Sequence, residues 1–262
     1  MPEEQPPILF TRRAFLRAAG LCALSLALPN LPSKASSEPF RVPPTLMLHM
    51  QDRWKLPHIL AWLRERNYES IGYADLLKAL QGARHLPEKP IILTIDDIAP
   101  SYVHPHFMAM AEEVEKAGYR GVFAVVTNQP PHRAAEGWAQ LRALAERGWE
   151  METHTIRHSY LPGLKLPELR EEIIRSAEWI AEGIGRAPLC LIAPYGGVRR
   201  RGREFDMRIF EVAAEAKLAF VVGIAGGRFI AADAKMPYYV GRVGSGRGHL
   251  QAGFWIKNFY RS

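Results

Sequence analysis

Ile91-Ile92-Leu93-Thr94-Ile95-Asp96-Asp97 is an apolar, β-favouring run that ends on two adjacent carboxylates. A strand apolar on both faces belongs in a parallel sheet covered by helices. The carboxyl ends of strands are where such sheets keep their polar working groups. Six other short runs share this form: Thr45 to His49, Gly121 to Val126, Trp149 to Thr153, Leu189 to Ala193, Ala219 to Ile224 and Tyr238 to Val243. Between them lie stretches of helical period: Leu56 to Arg66, Tyr73 to Leu80, Pro105 to Ala117, Trp138 to Arg147, Pro167 to Ile184 and Asp206 to Lys217. Gly118, Gly148 and Gly185 follow three of these where a left-handed C-cap is expected. Seven strands with six intervening helices predict an α/β fold, a (β/α)7-type barrel of parallel strands, in preference to two separate domains.

The composition agrees. Of 262 residues, 48% are hydrophobic and 23% charged, which excludes a disordered tail and a multi-span membrane protein. The formal charge is +7, yet no five basic residues are consecutive, so nucleic acid is not an expected partner. Arg199-Arg200-Arg201, with Arg203 behind it, reads as a solvated loop.

Residues 1–35 read as an export signal. Arg12-Arg13 precede Phe15-Leu16, an apolar run spans Ala18 to Leu28, and a small-residue end closes at Ala35. The paired arginines resemble a twin-arginine signal. Eleven apolar residues fall short of the roughly 20 that a membrane span needs, so a membrane contact is expected only if the signal stays uncleaved. Cleavage after Ala35 removes four basic and two acidic residues, leaving +5, and leaves residues 36–262 as the catalytic domain. It also removes Cys22, so Cys190 has no partner for an internal disulfide.

Three clusters close predicted strands. Asp96-Asp97 places two like charges side by side, which is costly unless a cation or proton neutralises one; a helix N-cap pair is the plain alternative. His154-Thr155-Ile156-Arg157-His158 sets two imidazoles four residues apart, a spacing that can converge on one metal, although single histidines are commonly just satisfied polar groups. Two imidazoles and a carboxylate make a three-ligand site with open positions for water. Ala193-Pro194-Tyr195-Gly196-Gly197 adds a rigid turn whose backbone N–H groups can stabilise an oxyanion, or is a plain loop.

In order and spacing these pieces resemble the polysaccharide deacetylases of the NodB-homology type, carbohydrate esterase family 4, over roughly residues 45 to 243. Thr94 to Asp97 resembles that family's Thr-Phe-Asp-Asp, with Ile95 for Phe. His154 to His158 matches its His-Ser/Thr-x-x-His, and Leu191 to Gly196 resembles the Phe-Ala-Tyr-Pro-Tyr-Gly version of its third motif. The layout is most similar to bacterial poly-N-acetylglucosamine deacetylases. The resemblance implies a distorted NodB-like barrel and a hydrolase that removes N-acetyl groups from an amino-sugar polymer, of peptidoglycan or poly-N-acetylglucosamine type, outside the cytoplasm. It implies metal ligands at Asp97, His154 and His158, a general base at Asp96 and an oxyanion donor at the Tyr195 backbone. The implied ion is Zn²⁺, with Co²⁺, Ni²⁺ or Fe²⁺ fitting the same donors.

The general acid is ambiguous. Leu46-Met47-Leu48-His49 resembles a first-strand Leu-x-Tyr-His type motif, and His49 is preferred to His249 in Gly-Arg-Gly-His-Leu. His104 and His106 read as surface residues. Ile98 stands where relatives commonly have glycine, and Ile192 where many have an arginine that orients the base. Trp54, Trp138, Tyr160 and Tyr195 are candidates for stacking on sugar rings, or for core and rim packing. A monomer is expected, with an N-acetylated polysaccharide as its partner. The alternatives are an amidohydrolase of the same fold acting on a small amide, which export argues against, and a carbohydrate-binding relative without turnover.

Overall fold

All seven apolar runs form parallel strands: β1 (Thr45–Leu48), β2 (Pro90–Ile98), β3 (Val122–Val125), β4 (Glu150–Thr153), β5 (Cys190–Ile192), β6 (Phe220–Ile224) and β7 (Tyr238–Gly244). The computed structural model describes residues 42–200, 204–224, 236–246 and 249–258. The expected export segment, residues 1–35, lies outside these. β1 pairs with β2 on one side and β7 on the other, so the sheet closes into a seven-stranded barrel whose strands follow chain order. Its distortion is local: β4 and β5 share a single paired position, Thr153 with Leu191. A two-residue strand, Glu69–Ser70, flanks the start of β2.

The helices are α1 (Leu56–Arg64), α2 (Tyr73–Leu80), α3 (Pro105–Lys116), α4 (Ala135–Glu146), α5 (Leu166–Arg170), α6 (Ser176–Ile184), α7 (Met207–Glu215) and α8 (His249–Asn258). The single helix expected over Pro167 to Ile184 is divided between α5 and α6 by a π-helical turn, Glu171–Arg175. The expected solvated loop of arginines is in part a hairpin, with Arg199–Arg200 paired antiparallel to Glu204–Phe205. Arg199 lies over the Phe205 ring and Arg200 bonds Asp206, which explains the order. Arg201 and Arg203 lie outside the described residues. No described helix is long and apolar enough to cross a membrane.

Alternation along each strand sorts the core into two layers. Outward residues such as Leu93, Ile95, Phe123 and Met151 pack against helix residues including Ile59, Leu63, Met110 and Leu141. Inward residues Ile92, Val122, Ala124, Ile192, Phe220, Val222 and Val240 fill the barrel, where Tyr73 and Leu76 of α2 join them. The barrel therefore has a packed interior and a closed floor, which leaves its carboxyl-end rim for polar groups.

Two carboxyls break the apolar interior. Glu150 accepts from the backbone N–H of Tyr73 and Ala74, and Glu152 from those of Leu189 and Cys190. Burial, and for Glu152 the neighbouring Glu150 charge, raise both pKa values, that of Glu152 well above its ordinary 4.5. A carboxyl whose folded pKa is raised stabilises fully below its unfolded value, and the contribution is lost as pH climbs through the folded one. Glu152→Gln keeps an acceptor oxygen without the titration. Its melting temperature relative to wild type is expected to rise progressively above pH 4.5, in paired thermal scans from pH 4 to 9. A constant difference across that range would contradict the assignment.

Candidate active site

The acidic doublet closes β2 through a break in the ladder. Register against β3 runs Thr94 with Val122 and Ile95 with Phe123, then shifts before Ile98 pairs with Val125. In a regular strand Asp96 would face the barrel and Asp97 the helices. The bulge, with Asp97 in the left-handed region at φ 75°, brings the second carboxylate back to the rim. Asp96 is buried and Asp97 exposed.

The two histidines follow β4. His154 is buried; its Nδ1 lies 2.6 Å from the Ile192 carbonyl oxygen, which can only accept, so that nitrogen carries the proton. Its Nε2 then faces the doublet, 3.4 Å from Asp97 Oδ1 and 3.9 Å from Asp96 Oδ2. His158 is engaged at Nδ1 by the Tyr195 hydroxyl at 3.1 Å and presents Nε2 to Asp97 Oδ1, also at 3.1 Å. Both rings thus have one nitrogen occupied and the other aimed at the same carboxylate. One ligand atom from each of Asp97, His154 and His158 lies within 4.8 Å of the others. Bonds of about 2.0–2.1 Å in a tetrahedron hold ligand atoms about 3.4 Å apart, so this donor set fits a divalent ion. Burial opposes ionisation of Asp97, but the hydrogen bonds and electrostatic pull of His154 and His158 hold that carboxyl well below the ordinary range.

The loop that carries the histidines is pinned by a residue not singled out in the sequence. Glu172, buried in the π-helical turn, accepts from the backbone N–H of Ile156 and Arg157 and from the Arg157 guanidinium. The loop is also strained. Six described non-glycine residues have positive φ, and four of them, Asp97, Thr155, His158 and Tyr195, belong to this site. Left-handed backbone at such side chains costs energy and clusters at functional sites.

Ile192, the position without the expected arginine, is buried inside the barrel. A guanidinium reaches the base position from another strand instead. Arg242 of β7, itself buried, donates from Nη1 to Asp96 Oδ1 at 2.7 Å and to Thr94 Oγ1 at 2.9 Å. Burial raises the Asp96 pKa, but the charges of Arg242, His154 and His49 outweigh it and hold the carboxyl below its ordinary value. The available signal was an arginine inside the otherwise apolar stretch Tyr238 to Val243. Arg242→Met leaves Asp96 buried and unpaired, an expected loss of about 3–5 kcal/mol in denaturant unfolding. The Asp96 carboxyl would then titrate higher, moving the acid limb of the kcat/KM profile upward in pH; an unmoved limb would refute the coupling.

His49 follows β1 one step beyond the Leu48–Ile95 pair, which sets it level with Asp96. Its backbone N–H bonds Asp52 Oδ2 at 2.8 Å, and its Nδ1 lies 3.9 Å from the same oxygen. Asp52 is buried and also held by Lys55 and Ser245. His249 opens α8, and its side chain lies outside the described residues. Tyr195, in a 3-10 turn at φ 58°, is exposed except where its hydroxyl meets His158. Tyr160 is exposed too, and its ring sits where a side chain at Gly197 would collide with it. Trp138 is corrected: it is buried in the core, its Nε1 donating to the Gln129 carbonyl, and offers no stacking face.

Residues 83–220, just over half of the chain, match the family model described as polysaccharide deacetylase. No curated protein sequence matches the chain. Among solved structures the fold is similar to Streptococcus pyogenes deacetylase PplD in complex with acetate, with 16% identity, a TM-score of 0.63, and coverage of 80% of this chain and 96% of that one. It is likewise similar to a de-N-acetylase from Aggregatibacter actinomycetemcomitans, with 20% identity, TM-score 0.61 and coverage of 82% and 98%. IcaB from Ammonifex degensii gives 19%, 0.61, 82% and 96%.

Proposed function

Since the chain belongs to the polysaccharide deacetylase family, and is accordingly a hydrolase of amide bonds, we propose that it removes N-acetyl groups from an amino-sugar polymer with the aid of one divalent ion. The observation that carries this reading is the convergence of Asp97 Oδ1 and both Nε2 atoms, each ring's other nitrogen being already engaged. Zn²⁺ is the proposed ion, with Co²⁺, Ni²⁺ and Fe²⁺ able to use the same donors. When bound, such an ion supplies Lewis acidity toward the amide carbonyl and a lowered pKa for water.

The protein's own groups then divide the proton work. Asp96 is the base: Arg242 occupies its Oδ1 and keeps it ionised, leaving Oδ2 to take the proton from the attacking water. The Tyr195 backbone N–H supports the developing oxyanion, a contribution of about 3 kcal/mol for such a donor. His49, level with Asp96 across β1 and β2, hands a proton to the departing amine. The products are acetate and a free sugar amine.

A guanidinium on Asp96 takes away the ground for a relative without turnover, since that reading rested on its apparent lack. Export by the twin-arginine-type segment, and so a polymer outside the cytoplasm, is part of the same proposal and rests on residues 1–35. Acetate release from N-acetylglucosamine oligomers, with metal analysis of the purified protein, tests the whole. Metal retained with oligomer bound and no acetate formed would favour a binding protein. His49→Ala is expected to lower kcat by about 10²–10⁴-fold while His249→Ala stays near wild type. The reverse ranking would transfer the acid role.

A further inference from the structure

Flat side chains line one side of the rim. Trp54, five residues beyond His49, is 74% exposed with the Arg53 guanidinium 4.4 Å from its ring. Tyr102, five residues beyond Asp97, is 66% exposed. Its ring meets His104 edge-on at 5.6 Å, and His104 lies 4.6 Å from His106. The Met50–Trp54 turn, which carries Arg53 and Trp54, packs against α3, which carries His106, and desolvation together with the Arg53 charge lowers the His106 pKa. The groups therefore form a strip from the β1 connection to the β2 connection, and both ends start from residues of the candidate site. None of these groups is needed for the ion or the proton steps.

Beyond Tyr102 the strip opens into a cleft of about 830 Å³. Ser101, Tyr102, Gln129, Arg133, Glu136 and Gln140 are among the residues that line it. That volume lies within the roughly 300–1,000 Å³ of small-molecule sites. The lining mixes amide, guanidinium and carboxylate groups, which suits hydroxyls and acetamido groups, while exposed rings suit the C–H faces of sugars. Fixed charge matters as well: Arg53 and Arg133 are cations, against the single carboxylate Glu136 on the cleft.

We propose that the strip and cleft form a track for further sugar units of the polymer, selective for units that still carry their N-acetyl group. This rests on the deacetylase reading above. An acetylated unit is neutral and can stack and hydrogen-bond there. A unit whose acetyl group has been removed is a free amine, which on taking up a proton becomes an ammonium ion and meets like charge. Chains already processed are thus bound more weakly than fresh ones, and release follows from the chemistry of the product. Because the track touches no reacting atom, its loss appears as weakened binding of long chains.

The test compares acetylated glucosamine dimers and hexamers as substrates. For the hexamer, Tyr102→Ala and the double variant Trp54→Ala/Arg133→Ala are expected to raise KM about tenfold with kcat kept. Dimer kinetics stay unchanged. The fully deacetylated hexamer is expected to inhibit at least about tenfold more weakly than the acetylated hexamer binds. Equal effects on dimer and hexamer, an unmoved hexamer KM, or equal binding of acetylated and deacetylated chains would each overturn the track. If wild type releases no acetate from any oligomer, the enzyme reading fails by itself. Calorimetric titration of both hexamers into wild type and Tyr102→Ala then decides the track separately.

Discussion

Asp97→Ala is expected to remove metal binding and acetate release together. Asp97 supplies the one anionic donor of the three, and both imidazole Nε2 atoms are aimed at its Oδ1, at 3.4 and 3.1 Å. Without it, two neutral rings face each other across an open rim. The loss should exceed the roughly 10- to 100-fold in metal affinity that removal of an outer partner costs. Alanine is also poorly suited to φ 75°, so Asp97→Asn is the companion variant: asparagine tolerates the left-handed region and still lacks the charge. Zinc affinity from competition with a chromophoric chelator, alongside acetate release, checks both. Either variant binding zinc as wild type does would remove Asp97 from the ligand set.

Asp96→Asn is expected to separate the two properties. Its carboxylate does not contribute the converging ligand atom, and an amide oxygen can still accept from Arg242 Nη1, so the fold and ion site should persist. An amide cannot take a proton from water at neutral pH. Turnover should therefore fall by about 10²–10⁴-fold with metal content intact. Stoichiometric zinc with kcat unchanged would reject Asp96 as the base. Zinc lost together with activity would instead make Asp96 a ligand.

The barrel was legible because each strand is a short apolar run between amphipathic stretches, and Tyr73–Leu80 even kept its expected bounds. The site was legible where it is local in sequence. Asp96-Asp97, His154 and His158 announce themselves by adjacency and four-residue spacing. Arg242 did not, because its partner Asp96 is 146 residues away and only barrel closure, with β1 paired to both β7 and β2, brings them together. Nor did Glu172, whose role depends on a π-helical turn that apolar periodicity does not signal. Helix α8 was missed because Gly253 interrupts a short stretch with weak periodicity; there the backbone needs a glycine, since a side chain would strike Trp62.

The shifted register between Ile95 and Ile98 has an evolutionary corollary. Two neighbouring carboxylates do different jobs here only because a single extra step of backbone sits between them and the regular ladder. Removing one residue there would restore ideal pairing and turn one acid away from the rim, so the change that tidies the sheet would cost the chemistry. Length changes in this short segment should consequently be among the least tolerated anywhere in the chain, whatever latitude its outer loops enjoy.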